Sequence, residues 1–254
     1  MLLSSYFHVS LSPFIAISGM FPPNLNETWT TEITGWEPVP IHTLPHSIDN
    51  LLVRGNNCPR YNAMCHELWT SRPPPEVVEE KNKYAAFWDE VRRNAGLSPH
   101  KPLQDMWFIP DALFVERSNG LTLPSWVNET VYQHLMNYKD LNFQMMVYNQ
   151  TLARLAGGNL LNEMRNNMKA KLAGAKTKRM YVYSAHDDTV APLLATLKVY
   201  NNLSPPYASA VMIELLKGNG EVRLLLRKNC FRCDIVSDVV LFVITLFLLY
   251  HCYF

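Results

Sequence analysis

By residue type and spacing, the positions best placed to do chemistry are His186 and Asp187, in the run Ser184-Ala185-His186-Asp187-Asp188. Met180-Tyr181-Val182-Tyr183 ahead of it is a short continuous run of strand formers, which predicts a strand covered on both faces. Behind it Val190, Leu193, Leu194 and Leu197 recur at helical spacing, with Thr189 as a cap and Pro192 in the first turn. Strand, polar turn and helix in that order predict an α/β crossover. Ligands of open parallel sheets bind at the carboxyl ends of the strands, and a helix N-terminus there favours a phosphoryl group. An imidazole can donate to a phosphoryl oxygen, and a carboxylic acid can protonate a departing alkoxide. On residue types alone, a His-Asp pair at a strand end also serves simply as a capping pair.

The surrounding elements follow from pattern. Pro38 to Pro45 and Pro73 to Pro75 predict loops, because proline removes donors and constrains its predecessor. Ala85, Phe87, Trp88, Val91 and Leu97 form a broad apolar helical face, and 126–155 predicts one long helix that Gly157-Gly158 would end. A second helix would follow, with Leu161, Met164, Met168 and Leu172 as core filling. Ala208 to Leu216, Gly218-Asn219-Gly220 and Val222 to Arg227 predict a hairpin. The basic group Lys169, Lys171, Lys176, Lys178 and Arg179 predicts a solvated helix end.

Composition narrows the function classes. The chain has 254 residues, 48% hydrophobic and 18% charged, which suits a globular protein. Its 23 Lys+Arg nearly balance its 22 Asp+Glu, so no nucleic acid partner is expected. Sequons at Asn26, Asn128, Asn149 and Asn202 point to glycosylation in the secretory pathway, Asn202 least so because Pro205 stiffens its loop. Cys58, Cys65, Cys230, Cys233 and Cys252 fit an oxidising compartment with one cysteine left over, though their pairing is not readable. Residues 1–19 are apolar but carry no Lys or Arg, the first being Arg54, which makes a weak signal-like segment. The run 239–254 is a marginal membrane anchor, since its sixteen residues fall short of the ~20 that span a bilayer. Lys228 and Arg232 before it would place the main domain in the cytoplasm, against the sequons.

Several blocks carry a resemblance to a known family. Tyr183-Ser184-Ala185-His186-Asp187-Asp188-Thr189-Val190 resembles the Y-S-A-H-D-T-T-V block of animal histidine acid phosphatases. Gly19-Met20-Phe21-Pro22-Pro23, the run 36–43 (W-E-P-V-P-I-H-T), Asn57-Cys58-Pro59-Arg60, Leu123-Pro124-Ser125-Trp126 and Pro205-Pro206-Tyr207-Ala208-Ser209 resemble further blocks of that family in the same order. The resemblance runs from about Gly19 to Arg227. It implies an α/β three-layer fold of the histidine phosphatase, phosphoglycerate-mutase-like type with an inserted helical cap. On that basis the α/β portion is expected over 19–49 and 158–228, the cap over 50–157, and divergent termini over 1–18 and 229–254.

The resemblance also implies a chemistry: a histidine in an N-terminal R-H-G-x-R-x-P block attacks a phosphomonoester, Asp187 is the proton donor, and His186 binds phosphate. It implies no cofactor or metal. Cys230-x-x-Cys233 lacks a second ligand pair, and Pro45 breaks any helix joining His42 and His46. No R-H-G occurs in the chain, and Ser12 to Ala16 stands where the family has a D-R-T block with a phosphate-clamping arginine. The expectation is therefore an N-terminally truncated acid phosphatase fold that is inactive alone, with a catalytically dead secreted or membrane-anchored relative as the alternative. Asp188 in place of threonine adds negative charge where an anion would bind, and is expected to weaken that binding. A family cysteine pair is replaced by Val115 and Ala210, while Cys58 keeps its place, with Cys230 or Cys233 as its candidate disulfide partner. Dimerisation within the family makes a homodimer a further expectation, and the compartment would be lysosomal, extracellular or membrane-anchored.

Overall fold

A computed structural model describes Leu2–Leu3 and residues 42–55, 57–207, 209–215, 222–228 and 240–246. Two short strands, β1 (Leu2–Leu3) and β2 (His42–Thr43), precede a helical region. That region contains α1 (Pro59–Trp69), α2 (Pro75–Asn82), α3 (Ala85–Asn94), α4 (Phe108–Ser118) and α5 (Glu129–Met146). The long α6 (Gln150–Leu172) leads to β3 (Met180–Ala185), α7 (Asp187–Thr196), β4 (Ser209–Leu215), β5 (Val222–Lys228) and β6 (Val240–Leu246).

The cap forms around aromatic side chains supplied by consecutive helices. Trp88 on α3 and Tyr138 on α5 are buried with ring centroids 4.4 Å apart, and Trp69 on α1 closes on Tyr138 edge-on. Each polar end is satisfied inside: Tyr138 donates its hydroxyl to the Leu103 carbonyl, and Trp88 Nε1 donates to Glu80 Oε2 at 2.8 Å. Pro59 and Pro75 occupy first helical positions, so Pro75 opens α2 rather than extending the Pro73 loop.

The predicted long helix over 126–155 is two helices. The first ends at Met146, and Asn149 caps the second, its side chain accepting from the Leu152 N–H at 3.0 Å. Gly157 and Gly158 lie inside α6, contrary to the predicted break there. Gly157 is a contact residue: a Cβ on it would lie 2.5 Å from the Pro192 carbonyl oxygen, so its absence lets α6 and α7 touch backbone to backbone. Met164 and Met168 face the sheet as expected, Leu160 joins them while Leu161 is only half-buried, and Leu172 is exposed.

The sheet has the order β2-β1-β3-β6-β4-β5. Tyr183, Ala185, Val211, Ile213 and Leu215 meet α6 and α7 on one face. Val182, Ser184 and Met212 alternate to the other and are buried too, so β3 and β4 are covered on both sides. Leu2 and Leu3 pair in parallel with Tyr183 and Ser184 on one edge of β3. The other edge takes β6, in parallel from Met180↔Leu241 to Ala185↔Leu246. The apolar run read as a marginal membrane segment thus includes an interior strand, which β4 pairs antiparallel from its other side. No described helix is long and apolar enough to cross a membrane. The hairpin pairs Ser209↔Lys228 through Leu215↔Val222, as expected. Asn26, Cys230, Cys233 and Cys252 lie outside the described residues.

Candidate functional site

The chain leaves β3 at Ala185 and enters α7 at Asp187, with His186 between them as the N-cap. The helix starts two residues before the predicted cap, Thr189. That residue sits in the first turn, where its Oγ1 accepts a long 3.5 Å bond from the His186 N–H and donates to the Leu52 carbonyl at 2.6 Å. Pro192 consequently falls in the second turn, and its missing N–H leaves the Asp188 carbonyl without its helical partner.

His186, Asp187 and Asp188 are each half-buried. Burial pushes the Asp187 carboxyl up to about 7, with the charges of Asp188 and Asp111 adding to the rise. Lys139 and the Asp188 N–H, which donates to Asp187 Oδ1 at 2.9 Å, pull the other way. A carboxyl in that state holds a proton through mildly acidic pH and can give it up to a leaving group.

Two cations border this turn that sequence reasoning did not single out. Arg54 Nε donates to Asp188 Oδ2 at 3.3 Å, and Nη1 to the Tyr61 hydroxyl at 3.1 Å, which in turn donates to the Met146 carbonyl at 3.0 Å. Burial opposes the guanidinium charge, but Asp188 and Tyr61 outweigh it and hold Arg54 firmly cationic. The extra negative charge expected from Asp188 is thus offset by an ion pair. The loop carrying Arg54 is itself fixed. Asp49 Oδ1 accepts from the Leu51 and Leu52 N–H groups at 3.0 and 2.9 Å, and Gly55 turns at φ +66 where a Cβ would strike the Tyr61 ring at 2.5 Å. The signal available in sequence was that Arg54 is the first cation of the chain, next to the N-C-P-R block.

The second cation, Lys139, is buried on α5. Its Nζ lies 2.9 Å from Asp111 Oδ1, which also accepts from the Tyr207 hydroxyl at 3.0 Å. The ammonium stands 4.9 Å from the Phe114 ring, which stacks on Tyr207 at 5.5 Å. Asp140 accepts from the Ser204 N–H at 2.7 Å and Gln144 donates to the Asn202 carbonyl at 2.9 Å, so α5 clamps the loop entering β4 beside the turn.

The remaining expected sites are dispersed. Asn128 and Asn149 are exposed helix caps whose side chains accept from Val131 and Leu152, and Asn202 is exposed at φ +63. Cys58 and Cys65 are half-buried and not joined to each other. No group of three potential metal ligands occurs among the described residues. One cavity of about 220 Å³ opens in the cap beside Glu80, Trp88, Asp89 and Arg92, away from His186.

Comparison with known proteins identifies the family. The profile of the histidine phosphatase superfamily (branch 2) matches residues 9–227. Human lysosomal acid phosphatase is 36% identical over 220 residues, covering 84% of this chain and 51% of the relative. A putative acid phosphatase 5 of Caenorhabditis elegans is 32% identical over 227 residues (87% and 51%), and bovine prostatic acid phosphatase 33% over 215 (83% and 54%). The chain spans about half the length of the curated relatives it matches. With a profile match over most of its length and relatives above 30% identity, the chain belongs to the histidine phosphatase superfamily, branch 2, on its acid-phosphatase side.

Proposed function

We propose that the chain carries the proton-donor half of an acid phosphomonoesterase site and does not turn over phosphomonoesters by itself. The observation that carries the reading is the placement of Asp187, a half-buried carboxyl pushed up to about 7 on the first turn of a helix that leaves a parallel strand. In this role Asp187 protonates the departing alkoxide while His186 donates a hydrogen bond to a phosphoryl oxygen. Phosphoryl transfer also draws on cationic stabilisation of the equatorial oxygens. The described cations nearest the turn, Arg54 and Lys139, are each already engaged by a carboxylate.

Relatives named lysosomal and prostatic acid phosphatase support a secretory-pathway protein. The exposed caps Asn128 and Asn149 then serve as glycosylation sites, because a cap uses the amide oxygen and leaves the nitrogen outward. The deciding measurement is p-nitrophenyl phosphate hydrolysis at pH 5 by the full chain and by His186→Ala. Equal background rates are expected. Turnover that vanishes in Asp187→Asn would overturn the claim of inactivity and point to another nucleophile in the chain.

A further inference from the structure

On the reading of Asp187 as a proton donor, we propose that Tyr200 is its positioning residue, with the Tyr200 hydroxyl donating to the Asp187 carboxylate once that group has lost its proton. Tyr200 stands in the link 197–208 between α7 and β4, packed against the core that α6, α7 and the sheet share. Its hydroxyl oxygen is closed off from solvent and has no hydrogen-bond partner among the described residues. A buried hydroxyl left unbonded is costly, and phenylalanine would fill the same space without that cost. The donor is explained if it is bonded in the other protonation state of the site.

The fold fixes where that hydroxyl stands. Ala185 of β3 and Ala210 of β4 lie level with the adjacent positions Leu246 and Thr245 of β6, so the link delivers β4 to the end of the sheet where His186 and Asp187 leave β3. Lys198 turns the chain out of α7 at φ +61, its N–H donating to the Ala195 carbonyl at 3.0 Å and that of Val199 to Leu194 at 2.9 Å. Beyond Tyr200 the link is tied at three points, Asn202 to Gln144, Ser204 to Asp140 and the Tyr207 hydroxyl to Asp111. Burial disfavours ionisation of the Tyr200 phenol, and the charges of Asp140 and then Asp187 oppose it further, so both carboxyls lie within electrostatic reach of the hydroxyl. Asp140 already takes the Ser204 N–H and leaves the tyrosine unbonded. The other charged groups that face Asp187 are engaged elsewhere: Asp188 of its own helix with Arg54 of the 49–55 loop, and Asp111 of α4 with Lys139 of α5. A protonated Asp187 offers the phenol a weak acceptor, whereas the carboxylate is a strong one. The bond to Tyr200 then holds the ionised side chain in place until it takes a proton back.

A double-mutant cycle on the full chain tests this, with Tyr200→Phe made in the wild type and in Asp187→Asn. Carboxyl carbon shifts followed through a pH titration should show Asp187 binding its proton about tenfold more tightly in Tyr200→Phe, because its charged form has lost a donor. Stability should follow with a definite sign. At pH 5 the urea midpoint of Tyr200→Phe should equal or exceed that of the wild type, and at pH 8.5, where only the wild type makes the bond, it should fall below. In the Asp187→Asn background the same substitution should act alike at both pH values. An effect of Tyr200→Phe that is independent of pH in the wild type makes the tyrosine a packing residue and overturns the assignment. A pH-dependent effect that persists in Asp187→Asn gives the hydroxyl to Asp140 and overturns it equally. A raised Asp187 titration untouched by Tyr200→Phe removes Tyr200 alone, whereas an Asp187 that titrates as an exposed carboxylate removes the donor reading as well.

Discussion

The cap core is assembled from neighbours in sequence, whereas the sheet draws strands from both ends of the chain. Tyr61, Trp69, Trp88, Met106, Leu135 and Tyr138 come from one continuous stretch, and the polar atoms of Tyr61, Trp88 and Tyr138 find partners within that stretch or just beyond it. In the sheet, residues 180–185 are flanked by Leu2–Leu3 on one side and by residues 240–246 on the other. Its core is largely aliphatic and fills against Leu160, Met164 and Leu193 of two helices. Local contacts close small loops and distant ones close large loops, so the cap should form early and survive damage to the sheet, while the sheet waits on the ends of the chain. α6 belongs to both cores, with Leu152 in one and Leu160, Met164 and Met168 in the other.

The hardest blow to the cap is Trp88→Ala. It empties a fully buried ring site and strips Glu80 of its indole donor, and a loss of about 3–5 kcal/mol is expected. Native-state hydrogen exchange should show α3 and α5 opening while β3 and β4 stay protected. Loss of protection in both regions at once would mean that the two cores are a single cooperative unit.

Gly157→Ala attacks the seam instead. The new methyl would sit 2.5 Å from the Pro192 carbonyl oxygen, a backbone atom that cannot rotate away, so α6 and α7 must separate. A destabilisation of about 1–3 kcal/mol is expected, against a gain for the same change on a free helix surface. The urea midpoint should fall and the m-value should drop if the cores uncouple. A midpoint equal to wild type would show that the seam is looser than the structure has it.

These differences follow how much of the molecule was legible beforehand. The His186-Asp187 turn was readable because strand, turn and helix are contiguous and each has its own period. Gly157 was misread as a helix end because its reason, the carbonyl of Pro192, lies 35 positions away in sequence. The tail was read as a weak membrane segment because an unbroken apolar run looks alike whether lipid or neighbouring strands are to cover it. Arg54 escaped notice because only the fold of the loop 49–55 brings it to Asp188.

At the site itself the expected effects depend on pH. Asp187 is pushed up to about 7 in the folded chain, against ~3.9 when exposed. Between those values the folded state keeps a proton that the unfolded state has lost. Stability therefore falls as pH rises from about 4 to about 7 and levels off above. Asp187→Asn should flatten that slope while leaving the cap's exchange unchanged, as urea midpoints at pH 4, 5.5, 7 and 8 would read. A slope that persists in the variant assigns the titration to another group.

The smallest effect concerns the pair that sets the charge beside Asp187. Arg54 and Asp188 are a quarter to a third exposed at 25% and 34%, so their ion pair should contribute under about 1 kcal/mol to stability. Its electrostatic consequence is clearer than its energy. After burial, the charge of Asp188 is the largest cause that raises the Asp187 carboxyl. Asp188→Asn removes that charge and should bring the Asp187 titration down, whereas Arg54→Met leaves Asp188 unopposed and should push it further up. Carboxyl carbon shifts followed through a pH titration separate the two variants by sign, independently of any change in midpoint. If both variants moved Asp187 the same way, the turn would be responding to altered packing of the 49–55 loop, and Arg54 would act there as a structural tie between cap and sheet rather than as a counter-charge.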